Sequence, residues 1–203
     1  MYSLEHLTSV FGDGAFADRL ERLAYNALPA TFAPDMWSHQ YVQQVNQVQC
    51  TINPDHGWTT NGPESNLYGL EPNFGCCTAN MHQGWPKFAA HLWMRTPDDG
   101  LAAIAWAPCA VRTTLHGVPV SVVVETDYPF RETITLTVTS ERKARFPLVL
   151  RIPAWALGAT VQVGAERAQP AVAGAMHRID RSWNGATTIA VRLPMRPLIT
   201  TRY

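Results

Sequence analysis

Charge is what this chain has least of. Only 16% of its 203 residues are Asp, Glu, Lys or Arg, against roughly 25% in an average soluble domain. Sixteen bases cancel sixteen acids, so the formal net charge is zero. No long-range basic field exists to draw in nucleic acid. Long apolar runs are missing as well. The longest, Leu101–Pro108, is strand-sized, far short of the roughly 18 residues a membrane helix needs. Met1–His6 lacks the basic and apolar regions of a secretory leader. The four cysteines, two of them adjacent, are too few for a disulfide scaffold. Aromatics, by contrast, are plentiful: seven Trp, seven Phe and six Tyr exclude a disordered polymer. The length fits one large or two small domains.

The little charge there is falls unevenly. Residues 1–97 hold eight acids against four bases, and residues 98–203 hold eight acids against twelve bases. The hydrophobic period changes at the same place, so a boundary is expected at the turn-forming cluster Pro97-Asp98-Asp99-Gly100. Before it, Leu4, Leu7, Val10 and Phe11 recur at helical spacing, with Gly12 as a stop. Asp13 can cap a second helix with the stripe Phe16, Leu20, Leu23 and Ala27, ending before Pro29. A third stripe runs through Met81, Trp85, Phe88 and Leu92, and Pro86 must kink that helix or lie in its first turn. After the boundary, Thr133–Thr139 alternates with period two. Further strands are expected at Val118–Glu125, Pro147–Ile152, Ala159–Val163 and Thr187–Leu193. Their spacing suggests an antiparallel sandwich.

The chemistry is expected between the second and third helical stripes, because some fifty residues without obvious regular structure are usually functional. In the run Trp37–Val48, amides would point to both faces of an extended strand, which is costly unless something satisfies them. An amide-rich, neutral lining of His39, Gln40, Tyr41 and Gln44 beside Trp37, Trp58 and Tyr68 suits sugar hydroxyls and sugar faces. A structural amide network explains the same residues equally well. The sharpest signal is Asn73-Phe74-Gly75-Cys76-Cys77-Thr78-Ala79-Asn80. Adjacent cysteines rarely bridge each other, but both can ligate one soft metal such as zinc. Placed just before a helix start, with Thr78 or Asn80 as cap, they would have a lowered thiol pKa. The alternative is two inert buried cysteines. Cys50 and Cys109 stand in no recognisable ligand spacing to them. Glu64 and Glu71 flank the pair and are the acid/base candidates by proximity.

Three ordered segments carry a family resemblance: Asp18–Ala30, His39-Gln40-Tyr41 with Gln44 and Asn46-Gln47-Val48, and Tyr68–Asn80 with the cysteine pair. Together they resemble glycoside hydrolase family 127, the β-L-arabinofuranosidase-like proteins. The likeness runs through residues 1–97 and continues more weakly beyond. It implies an (α/α)6 toroid followed by β-sandwich domains, with residues 1–97 the end of the catalytic domain and 98–203 an incomplete sandwich. It implies retention through a cysteine nucleophile near zinc, with Cys76 as nucleophile and Cys77 as zinc ligand. The family's Glu-x-Cys ligand segment and its acid/base glutamate belong upstream of Met1, so the chain is expected to be a fragment, inactive alone and dependent on flanking parts of its parent. Its partner would be an L-arabinofuranose-containing oligosaccharide, with no nucleic acid and no membrane. Two other readings stand beside this one. One is a carbohydrate-binding module with inert cysteines; the other is a structural zinc or interaction module. A free thiolate favours a reducing compartment, although a metal protects thiols elsewhere too.

Overall fold

The computed structural model of the chain describes residues 1–43, 50–52, 62–70, 75–197 and 199. They fall into two compact units, residues 1–2 with 20–89, and residues 3–19 with 90–203. Helices and strands are mixed, and the larger unit is mostly β-sheet.

The larger unit is built on β1 (Trp93–Arg95), β2 (Leu101–Ala103), β3 (Cys109–Leu115), β4 (Val118–Thr126), β5 (Thr133–Arg151), β6 (Thr160–Val163), β7 (Gln169–Pro170) and β8 (Met176–Arg192). Two of the expected strands, 133–139 and 147–152, are halves of the single strand β5, and 187–193 falls mostly within β8. The gap left between those two expected strands holds a bulge, not a break: register slips between Ser140 and Ala144 while the antiparallel pairing with β8 resumes on either side. Ser140 lies opposite Gly185, whose φ of 64° suits a residue without a Cβ. Around this long pair the order is β3-β4-β5-β8-β6-β7 through the first half of β5, and β1-β2-β5-β8 through the second. The expected antiparallel pairing holds for every pair except β2 with β5, which is parallel. The eight strands form one hydrogen-bonded network rather than two separate sheets.

Period-two burial makes the core. Val120, Val122 and Val124 on β4 lie beside Ile134, Leu136 and Val138 on β5, all buried. Trp183 and Phe146 stack at 5.6 Å, and the Trp183 indole N–H donates to the Phe146 carbonyl at 2.9 Å. A buried indole needs such an acceptor, and Trp106 finds one in the Arg151 carbonyl at 3.1 Å. The Pro97–Gly100 cluster is the turn of the β1–β2 hairpin, closed by Thr96 N–H on the Gly100 carbonyl at 3.1 Å. A Cβ on Gly100 would collide with the Pro147 carbonyl oxygen, so the close approach requires glycine.

This unit also holds α1 (Tyr2–Phe11) from its second residue onward and the start of α2 (Gly14–Arg22). The stop and the cap occur as expected. Gly12, at φ 65°, donates to the Thr8 carbonyl at 2.8 Å, and Asp13 Oδ1 accepts from Ala15 N–H at 2.8 Å. The buried face of α1 differs from the expected stripe. Val10 and Phe11 are exposed, whereas Glu5 and Thr8 are buried. Thr8 satisfies its hydroxyl on the Leu4 carbonyl at 2.8 Å, and the Glu5 carboxylate lies 3.2 Å from His91 Nδ1. Ala17 packs with Ala102 and Ile104, and the carboxylate of Asp18 meets the buried Arg151 guanidinium and accepts from Ala154 N–H at 2.9 Å. Arg151 Nε also donates to the Ile104 carbonyl at 2.5 Å.

In the smaller unit the helix does not end before Pro29. It passes through a π-helical turn, Leu23–Ala27, into α3 (Leu28–Ala30). Leu28 N–H bonds back to the Leu23 carbonyl, which shifts the ladder by one residue. Pro29 thus lies in a first turn, where its missing N–H costs little. The third stripe is two short helices, α4 (Gly75–Met81) and α5 (Gly84–Ala90), and Pro86 lies in the first turn of α5. Buried Phe88 meets the Tyr25 ring edge-on at 5.8 Å.

Candidate functional site

The cysteine pair lies in the first turn of α4 rather than before it, because the helix already starts at Gly75. Thr78 and Asn80 are therefore inside the helix and do not cap it. Asn80 Nδ2 donates to the Cys76 carbonyl at 2.6 Å. The two sulfurs are 3.4 Å apart and unbridged, Cys76 exposed and Cys77 half-buried. The Cys77 thiol is pushed up from its ordinary value, chiefly by its hydrogen bond with Cys76, then by desolvation and the charge of Cys76. A hydrogen bond with Tyr41 pulls the other way. The expected lowering by the helix terminus is thus not met at Cys77. Two thiols this close resist losing both protons.

The segment before α4 supplies the partners. His39 makes single antiparallel bridges with Phe32 and Gly69, and with Gly69 it exchanges both backbone hydrogen bonds at 3.0 Å. An extended chain alternates its side chains. His39 and Tyr41 accordingly share a side: His39 Nε2 bonds Thr78 Oγ1 at 3.0 Å, and Tyr41 bonds Cys77. Gln40, on the alternate side, is buried. Strict alternation would place Gln43 on the side of His39 and Tyr41. Its amide instead donates to the Ala27 carbonyl at 2.8 Å and to Thr31 Oγ1 at 2.6 Å. Tyr68 is partly exposed, and its hydroxyl donates to the Ala30 carbonyl at 3.1 Å.

Thus His39, Tyr41, Cys76, Cys77 and Thr78 come together, with Gln40 and Tyr68 fixing the strand beside them. Trp37 does not join them; it is 78% exposed. Glu64 is half-buried in the turn that leads into Ser65. Glu71 and Gln44 lie outside the described residues, as do Asn46, Gln47, Val48 and Trp58. Cys50 is exposed, and Cys109 belongs to β3, where burial pushes its thiol up. Sequence reasoning passed over Ser65 and Asn66, both buried. Ser65 accepts from Val42 N–H at 2.8 Å through its carbonyl, and Asn66 donates to the Val42 carbonyl at 3.2 Å. Thr78 was read only as a cap. No periodic signal marks such residues, since small polar side chains in a loop usually meet water.

The pair suits a soft metal in part. Two thiolates bound to tetrahedral zinc lie about 3.8 Å apart, near the observed 3.4 Å. Among the described residues no third His, Cys, Asp or Glu joins them. The chain's described residues therefore offer two donors of a four-donor set.

Residues 100–195 match the family model described as beta-L-arabinofuranosidase, GH127 middle domain. Among solved structures, the chain is similar to a GH127 β-L-arabinofuranosidase from Geobacillus stearothermophilus T6, with a TM-score of 0.77 and 23% identity over 95% of this chain and 30% of that one. It is also similar to a glycoside hydrolase at TM-score 0.76 and 21% identity, covering 94% and 30%, and to a GH127 β-arabinofuranosidase at 0.73 and 20%, covering 96% and 31%. At these identities the likeness concerns the fold, and the chain spans about 30% of the length of each of the first two structures. No curated protein matches it significantly. Residues 100–195 thus match the GH127 middle-domain model, and the fold of the chain is similar to that of solved GH127 enzymes.

Proposed function

We propose that the chain is part of a retaining glycoside hydrolase of the β-L-arabinofuranosidase type and supplies its nucleophile, Cys76. One observation carries the reading: two unbridged thiols stand 3.4 Å apart on a helix turn, with Cys77 bonded by Tyr41 and the next residue, Thr78, bonded by His39. In this reading residues 1–97 are the end of an (α/α)6 catalytic domain, to which the helices α1 to α5 contribute. Cys76 is the more exposed thiol and would meet substrate, while Cys77 is the one bonded by Tyr41.

The chemistry is a double displacement. The Cys76 thiolate attacks the anomeric carbon of an L-arabinofuranosyl unit, a C–S bond forms, and the C–O bond to the leaving group breaks with its electron pair going to oxygen. An acid protonates that oxygen. Water, deprotonated by the same group, then attacks the anomeric carbon from the opposite face and Cys76 leaves as thiolate, so the starting configuration is restored. Glu64 and Glu71 are the chain's own candidates for the acid. The family resemblance assigns that role, and two further metal ligands, to sequence outside this chain. Cys76 and Cys77 would hold a zinc ion, which when bound supplies charge to keep a thiolate. His39 and Tyr41 fix the turn that presents the thiols and, with Tyr68, form the wall that faces sugar hydroxyls, while Gln40 backs that wall from its buried side.

The test is hydrolysis of an aryl β-L-arabinofuranoside, with the first-formed anomer read by NMR. A protein containing this chain is expected to retain configuration and to lose at least about a thousandfold in rate on Cys76→Ser, as loss of a nucleophile does. Undiminished hydrolysis by that variant would overturn the assignment. The isolated chain is expected to show no turnover. Cys76-dependent turnover by it would place the acid in this chain, at Glu64 or Glu71.

A further inference from the structure

A second convergence of polar groups occurs in the larger unit, at the turn from β4 to β5. An open groove of about 480 Å3 is lined there by Thr126, Asp127, Arg131, Thr133 and Thr135, a volume within the range of small-ligand sites. The turn is braced. Thr126 Oγ1 donates to the Thr133 carbonyl at 2.9 Å and accepts from Tyr128 N–H at 3.0 Å. Phe130 N–H donates to the Asp127 carbonyl at 2.8 Å, and the buried Tyr128 ring stacks on Trp155 at 6.4 Å. Such a turn holds its shape before a ligand arrives, so little ordering is charged against binding.

Asp127 and Arg131 line the same groove, yet among the described residues neither carries an ion pair or a side-chain hydrogen bond. A carboxylate only accepts and a guanidinium only donates. A hydroxyl does both, so neighbouring hydroxyls on one ligand satisfy the two groups together. The two charges cancel, which favours neither an anion nor a cation. The Thr133 and Thr135 hydroxyls add a second row on the face opposite buried Ile134 and Leu136. Phe130, in the same turn, is 85% exposed and offers an apolar surface to the C–H face of a sugar ring.

We infer that this groove is a binding subsite for a neutral glycan, made of residues that the cysteine site does not use. It holds substrate without acting on it, and its occupancy does not depend on the thiols. Titration of the 15N-labelled chain with L-arabinose and with neutral arabino-oligosaccharides tests this by amide shifts. The expected result is shifts clustered over residues 126–135, unchanged in Cys76→Ser. Asp127→Ala with Arg131→Ala should weaken binding at least about fivefold, since charge-assisted hydrogen bonds are the strong ones. Phe130→Ala should weaken it less. The spread of β-strand amides in the same spectra verifies that each variant is folded, and Asp127→Asn or Arg131→Gln replaces the double variant if it is not. Absence of shifts in 126–135 up to about 50 mM sugar, a very weak limit, would overturn the proposal. So would equal binding by the folded double variant, or stronger binding of glucuronate or a sugar phosphate than of the neutral sugars.

Discussion

The two units are held together by different means. In the larger one, β5 and β8 pair from Thr133 with Arg192 to Arg151 with Met176, and β5 buries Ile134, Leu136, Val138, Phe146, Leu148 and Leu150 while β8 adds Trp183, Ile189 and Val191. Any single bond there is one of many. In the smaller one, the segment that presents the thiols hangs on individual bonds: His39 to Thr78, Tyr41 to Cys77, Gln43 to Ala27, Asn66 to Val42, Tyr68 to Ala30. A sheet core tolerates small local losses because its energy is spread over area. A loop fixed by single polar contacts has its geometry set by each of them, and losing one moves what it carries.

This contrast can be broken most strongly in the sheet. Trp183→Ala removes a buried indole, its stack on Phe146 and its bond to a carbonyl, and should cost about 4 kcal/mol in urea unfolding of the larger unit. Next comes Asp18→Asn, which leaves the buried Arg151 guanidinium without its carboxylate. A loss of about 3 kcal/mol is expected, and a loss under about 1 kcal/mol would mean that water or another acceptor replaces the carboxylate. In the smaller unit, His39→Ala should cost only about 1 kcal/mol, the net value of one hydrogen bond. It should nevertheless change the alkylation rate of Cys77 measured by peptide mass spectrometry. If stability falls and the thiol does not respond, His39 braces the fold without setting the site.

The smallest effect is on proton affinity. The folded chain holds the Cys77 proton more tightly than an unfolded chain does. The thiolate therefore appears at higher pH, and this group's contribution to stability is present below the ordinary thiol range and lost as pH rises through the raised value. Alkylation of Cys77 should accordingly follow a midpoint above that of a free thiol. Cys76→Ala should lower the midpoint by removing the largest cause, and Tyr41→Phe should raise it further.

What the sequence made legible follows the same division. The Val-rich run Val118–Glu125 and the period-two alternation of Thr133–Thr139 announce β4 and the first half of β5, because burial of one sheet face repeats every two residues. Charged Glu141-Arg142-Lys143 concealed that the strand goes on, since a bulge and a turn expose similar residues. In α1 the apolar stripe pointed to the wrong face: Glu5 is buried by virtue of His91, 86 positions later in the chain. The cysteine pair and the alternation of His39 with Tyr41 were readable, as both are local. The buried roles of Ser65 and Asn66 were not, because they depend on Val42 being brought alongside.

Asp18 and Arg151 are 133 residues apart in sequence. During synthesis, at roughly 5–20 residues per second, the acid emerges about seven to twenty-seven seconds before the base that completes it. For that interval the opening helices have no finished sheet to rest on, and the order of translation leaves them to be protected by a chaperone or by their own transient contacts.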